Sequence, residues 1–169
     1  MSMAPTVPAI LAAVETVVKA AMNPVAPSRV QTTHVKRVFW RDQKKFQSLF
    51  KRTVDDSPTQ PVNGWMIYRA STKPIEAEER WRFYSIHRIR MEGFLAVADD
   101  TALDQAAFDA QIELVRDGLR LSTAVFGTME KVLPDTEVLE SSTPILIGEI
   151  TAWHAVLEIE VQGVEVKSL

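Results

Sequence analysis

From Arg80 to Asp100 the residues RWRFYSIHRIRMEGFLAVADD alternate in character for longer than anywhere else in the chain. Odd positions hold Trp81, Phe83, Ser85, His87, Ile89, Met91, Gly93, Leu95 and Val97. Even positions hold Arg80, Arg82, Tyr84, Ile86, Arg88, Arg90, Glu92, Phe94 and Ala96. Because successive strand side chains point to opposite faces, this period of two predicts the longest strand, with one face largely apolar and the other cationic. A strand of about 17 residues rises roughly 3.3 Å per residue, about 55 Å in all, whereas a globule of this length is only about 40 Å across. The strand is therefore expected to bend or to project. Gly93 is the expected bend or bulge, and the Trp81 end is expected to lie outside the globule.

Ahead of this strand, Ile10, Val14, Val17, Val18 and Ala21 recur at helical spacing, with Glu15 and Lys19 as an i, i+4 pair on the other side. The pattern predicts an amphipathic helix over 8–22, opened by Pro8 and stopped by Asn23, Pro24 and Pro27. Val35 to Trp40 reads as a short strand. Asp42 then caps a short basic helix in which Phe46, Leu49 and Phe50 form the apolar side and Lys44, Lys45, Lys51 and Arg52 the charged one. Two prolines and an Asn-Gly make Asp55 to Gly64 a loop. Trp65 to Ala70 is a strand, and STKPIEAEE connects it to the long strand.

Beyond Asp99-Asp100, Thr101 and Asp104 form a capping-box pattern for a helix reaching about Leu121, whose buried stripe is Leu103, Phe108, Ile112, Val115 and Leu119. Residues 122–144 are loop-rich, with short strands expected within Ala124 to Met129, Lys131 to Leu133 and Glu137 to Glu140. Near the end, Trp153, Ala155, Leu157, Ile159 and Val161 alternate with His154, Val156, Glu158, Glu160 and Gln162. That is a strand with an acidic outer face, and it suits an antiparallel place beside the long strand, where Glu158 and Glu160 would stand opposite or diagonal to Arg88 and Arg90. The elements add up to one α+β domain over 1–169: a mostly antiparallel sheet of four to six strands with the two longer helices on its apolar face.

Composition narrows the chemistry. The chain of 169 residues has no cysteine, so disulfides, thiolate metal sites and cysteine nucleophiles are excluded. It has no apolar run of membrane-spanning length and no signal-peptide pattern at its start, so a cytosolic protein is expected, with no membrane partner. The net charge of -3 conceals a polarity: 14 basic against 7 acidic residues over 29–92, and 4 against 14 over 93–169. Such segregation suits a nucleic-acid surface, complementary surfaces between copies, or two solvated faces.

His34, His87 and His154 are the only histidines. By the alternation His87 and His154 face opposite ways, which argues for hydrogen-bonded structural roles rather than a shared metal site. Asp99-Asp100 is explained by its place before a helix N-terminus. No phosphate-cradling glycine loop or nucleophile elbow is present, and Trp65, Trp81 and Trp153 sit at strand positions suited to packing.

The order of these pieces is informative: an N-terminal amphipathic helix, Asn63-Gly64-Trp65, His87-Arg88-Ile89-Arg90 with Gly93 and Asp99-Asp100, then Pro144, Gly148 and His154. From about Val62 to Val161 the chain resembles the tail terminator (tail completion) proteins of long-tailed, Mu-like and lambda-like bacteriophages. The resemblance implies a sheet with two helices, and a hexameric ring that caps the tail tube and meets the head connector or stopper protein. It implies no catalytic residues and no cofactor. It also implies a place in the virion tail or neck after assembly in the host cytoplasm, with DNA passing through the lumen without specific binding. A ring of identical subunits needs interfaces in which one patch meets a different patch. Candidate contacts are Lys44, Lys45, Lys51, Arg52, Arg80, Trp81, Arg82, Arg88 and Arg90 on the basic side, and Glu137, Glu140, Glu158 and Glu160 on the acidic side. The competing readings are another neck or tail component, or a nucleic-acid-binding module using the basic 29–92 region.

Overall fold

The computed structural model describes residues 6–22, 32–50, 62–75, 82–97, 101–121, 130–131 and 137–166. In chain order the elements are α1 (Val7–Met22), β1 (Thr32–His34), α2 (Gln43–Phe50), β2 (Asn63–Ile75), β3 (Arg82–Ala96), α3 (Thr101–Leu121), β4 (Glu130–Lys131), β5 (Glu137–Ile147) and β6 (Ile150–Val166). They form an α+β fold around one six-stranded sheet, ordered β1-β2-β3-β6-β4, with β5 also paired to β6. All pairings are antiparallel except that of β1 with β2.

The spine is the β3–β6 ladder, which runs without a register shift from Arg82↔Val166 to Ala96↔Ala152. This register gathers the alternating apolar residues of both strands on one face. There Ile89, Met91 and Leu95 join Ala155, Leu157, Ile159 and Val161 in the main core, under α1 and α3. The helices supply the stripes expected of them: Ile10, Val14, Val17 and Val18 from α1, and Phe108, Ile112, Val115 and Leu119 from α3. Ala21 and Leu103, assigned to the same stripes, have side chains outside the described residues, as do the capping side chains of Thr101 and Asp104.

The opposite face is not simply cationic. At its Ala96 end it carries a second core of Val38, Phe46, Phe50, Val62, Met66, Tyr68, Phe94 and Ala96, covered by α2. Phe46, Phe50 and Phe94 pack as tilted or edge-on rings with centroids 4.8–5.4 Å apart, and burying each contributes about 1.5–3 kcal/mol. Asp42 caps α2 as expected, its Oδ1 accepting the Lys45 amide hydrogen bond at 2.9 Å. The stretch 35–40 is not a strand. The strand here is β1, and Val38 and Trp40 fold round onto the second core instead, which gives their apolar side chains more contact than an edge strand would.

Three further expectations are corrected. Asn63 and Gly64 belong to β2, paired with Leu95 and Phe94, and β2 continues through the Ser71–Ile75 stretch read as a connection. Its sheet position tolerates Pro74, because among the described residues no strand lies on its outer side there. β5 is not confined to 137–140: it runs on through Pro144 to Ile147, with irregular register around Leu139 and between Glu140 and Thr143. Gly93 is neither bend nor bulge. It pairs regularly with Trp65 and Ala155, and the shift in β2 falls between Arg69 and Ser71.

Gly93 is required for a different reason. The Trp65 indole lies across it, and a Cβ at Gly93 would stand 2.7 Å from the ring, closer than real contacts allow. Trp65 is fully buried and reaches Phe108 of α3 at 6.3 Å between centroids, so this one ring joins sheet and helix. At the other end β2 is exposed from Arg69 to Pro74, so this end of the sheet extends beyond its covering layers. Arg80, Trp81, Asp99 and Asp100 and the 124–129 stretch lie outside the described residues. Gly93→Ala is expected to destabilise by about 1–3 kcal/mol, the usual range for overpacking. In a Trp65→Phe background the same change should cost less, and denaturant unfolding of the four variants measures both.

Candidate functional site

Two polar assemblies and one groove stand out, all placed by the sheet. On the face opposite α1 and α3, the β3–β6 register sets Arg88 opposite Glu160 and Arg90 opposite Glu158. Arg88 donates to Glu160 Oε1 from Nε at 3.2 Å and from Nη2 at 2.8 Å, and its Nε also lies 2.9 Å from Glu158 Oε1. Arg90 donates to Glu158 Oε2 from Nε at 3.1 Å and from Nη2 at 2.9 Å. Glu158, buried although it sits on the face read as acidic and outward, thus bridges both guanidinium groups. These hydrogen bonds hold both arginines further toward the charged form: Arg88 first through Glu160, Arg90 first through Glu158.

The second assembly runs across four strands. Tyr68 of β2 donates its hydroxyl hydrogen bond to Glu92 of β3. His154 of β6 stacks on Phe94, with Nε2 3.5 Å from Glu92 and Nδ1 3.1 Å from Glu140 of β5. Burial pushes the Glu92 carboxyl up, but the hydrogen bonds of His154 and Tyr68 and the charges of His154 and Arg37 outweigh it, leaving it below its ordinary 4.5. Tyr68 is raised above its ordinary 10.0, first by burial and then by its bond to Glu92. The other histidines are also held by local partners: His87, buried on the core side, with Thr72 Oγ1 at 3.0 Å, and His34 with the Leu49 carbonyl at 2.6 Å. Among the described residues no cluster of three or more His, Asp or Glu side chains is placed to hold a metal ion.

The groove lies at the sheet edge. β1 covers β2 only as far as His34↔Met66, and past that point a groove of about 600 Å³ opens between Leu11, Val35, Lys36, Arg37 and Arg69, with Arg88 and Arg90 on its inner wall. Arg37 is held over the rings of Phe39 and Tyr68, each 5.3 Å away. Among the described residues Lys36, Arg37 and Arg69 make no ion pair. Phe39 beside the groove is 75% exposed.

The structure therefore sorts the candidate contacts. Arg88, Arg90, Glu158 and Glu160 are brought together within one subunit. Glu137 and Glu140 stand exposed on β5, and Lys44 and Lys45 on α2. Arg82 belongs to β3 but its side chain lies outside the described residues, as do Lys51, Arg52, Arg80 and Trp81 entirely. Sequence reasoning missed the groove cations as a group and the Tyr68–Glu92–His154 chain. The available signal for the latter was Glu92 itself, the one acidic residue on the arginine-bearing side of β3. No family model matches the chain, and no curated protein matches it in sequence.

Glu158→Ala should be the more costly change, because it removes the carboxylate that bonds both guanidinium groups, although these are half exposed and Arg88 keeps Glu160. Glu160→Ala should cost under about 1 kcal/mol, since its pair is solvated; urea unfolding at neutral pH distinguishes them. The depressed Glu92 carboxyl contributes stability that is present above 4.5 and lost as pH falls through its lower folded value. Glu92→Gln should therefore flatten the acid limb of a stability–pH profile, which thermal unfolding between pH 2 and 6 would read, taking that window as roughly two units either side of a carboxylate's range.

Proposed function

We propose that this chain is a non-enzymatic virion structural protein of the tail-terminator kind. Six copies close a ring on the end of the phage tail tube, and the ring's other side receives the head connector or stopper protein. The ring is part of the tail or neck, assembles in the host cytoplasm, binds no cofactor and lets DNA through its lumen without specific contacts. The fold accords with this reading, being the sheet with two longer helices on one face that the resemblance implies. The observation that carries it is electrostatic. Among the described residues the sheet ends in two partly open edges of opposite sign: β2 carries Arg69 and Lys73 and no acidic residue, while β5 carries Glu137 and Glu140 and no basic one. Opposite edges of one sheet cannot neutralise each other within a subunit, but they can between neighbours in a head-to-tail ring.

The groove favours a second reading, a nucleic-acid-binding module, because cations beside an exposed aromatic ring suit a phosphate backbone and a stacked base. Native mass spectrometry over a concentration series, followed by negative-stain imaging with and without tail tubes, tests the first. A hexamer that caps tube ends is expected, whereas a monomer at every concentration that does not bind tubes would sink it. Affinity for oligonucleotides that falls steeply with salt would instead support the second.

A further inference from the structure

Resting on the ring reading above, the geometry points to the specific contact: we infer that the Glu137–Glu140 segment of one copy docks into the Lys36–Arg37–Arg69 groove of the next. The central arginines are not available for this role, since Arg88 and Arg90 are already bonded to Glu160 and Glu158 in their own subunit. What remains exposed and charged at the basic edge is Lys36, Arg37, Arg69 and Lys73, and at the acidic edge Glu137 together with Glu140, which stays half exposed although its Oε2 meets His154 Nδ1 at 3.1 Å.

The two surfaces also match in shape and polarity. The groove combines its cations with an apolar wall from Leu11 and Val35. On β5 the register breaks between Val138 and Glu140, so Leu139 is the extra residue of a bulge, 42% exposed and flanked by the two carboxylates. A bulge re-aims the side chains it displaces. The segment therefore presents an apolar knob between two negative charges to a hole with an apolar wall and positive rim. Such a contact is heterologous, and its two halves sit on opposite edges of the sheet, so each copy can engage two neighbours at once.

The contact works through side chains and not by extending the sheet. β2 is irregular between Arg69 and Ser71 and carries Pro74, while β5 is irregular at two places and carries Pro144. Bulges and prolines are what edge strands use to refuse a further strand. Charge complementarity then sets which edge meets which, because basic against basic and acidic against acidic repel.

The test compares wild type with Lys36→Glu/Arg69→Glu, with Glu137→Lys/Leu139→Asp, and with Lys36→Glu/Arg69→Glu/Glu137→Lys together. Each of the first two sets should raise the concentration needed for assembly by roughly tenfold or more, as like charges now oppose each other. The three-site swap should recover much of the loss, and added salt should weaken wild-type assembly. Mixing the first two variants should assemble better than either alone, since the intact Glu137–Glu140 segment of one meets the intact groove of the other. All positions are exposed, and unchanged circular dichroism melting checks folding. If wild type assembles while both variants assemble equally well, the contact is elsewhere and the ring reading survives alone. If the groove variant loses only oligonucleotide affinity, the groove's occupant is nucleic acid and the inference is overturned. A wild type that stays monomeric overturns both.

Discussion

The unbroken β3–β6 register is the constraint on which the other arrangements rest. Fifteen consecutive pairs align two alternating sequences so that their apolar residues share one face and Arg88, Arg90, Glu158 and Glu160 share the other. A slip of one residue would turn one strand over relative to the other, sending either Arg88 and Arg90 or Glu158 and Glu160 under α1 and α3 and exposing Ile89 and Met91 or Leu157 and Ile159. An unpaired charge in such a core costs several kcal/mol even after relaxation. The ion network therefore specifies register whatever its own net contribution to stability. Its buried member, Glu158, matters most, since it is the carboxylate both arginines share.

Around that spine the protein divides its two faces unequally. The α1–α3 side is covered over the long core, with Trp65 filling the space that Gly93 leaves. Among the described residues the other side is closed by α2 only at the Ala96 end, then turns polar through Glu92 and His154, and finally charged at Arg90 and Arg88. Small ties hold α2 and β1 in place. Thr33 donates to Glu15 of α1 at 2.5 Å, His34 meets the end of α2, and Gln43 Oε1 accepts from the Glu149 amide at 2.9 Å. That last bond secures the β5–β6 turn, where Gly148 adopts φ +62, as the first position of a two-residue hairpin turn of the II′ kind requires.

Much of this was legible because it is periodic. The stripes of α1 and α3, the Asp42 cap, the alternation of β3 and β6 and the facing of Arg88 with Glu160 and Arg90 with Glu158 all follow from repeats that local geometry enforces. What failed was aperiodic or depended on neighbours. Val35 to Trp40 has strand-like composition, but its side chains are recruited by Phe46, Phe50 and Phe94 from distant parts of the chain. Pro74 and Pro144 argued for loops, and only an edge place in the sheet admits them. Gly93 was read through backbone freedom, whereas its role is the absence of a side chain beneath an indole 28 residues earlier in sequence. The groove was invisible for the same reason: Lys36, Arg37 and Arg69 become neighbours only because β1 stops where it does.

The place of β6 in the sheet bears on how the molecule is made. Residues 150–166 form the strand between β3 and the β4 and β5 edge, so during synthesis every earlier element appears before the one that completes the ladder. Until then β3 shows a free line of backbone donors and acceptors, the state most prone to pairing with the wrong chain. The arginines along its other side repel a second β3 at that stage. Charges that later meet glutamates within the subunit thus first serve as guards of an unfinished sheet.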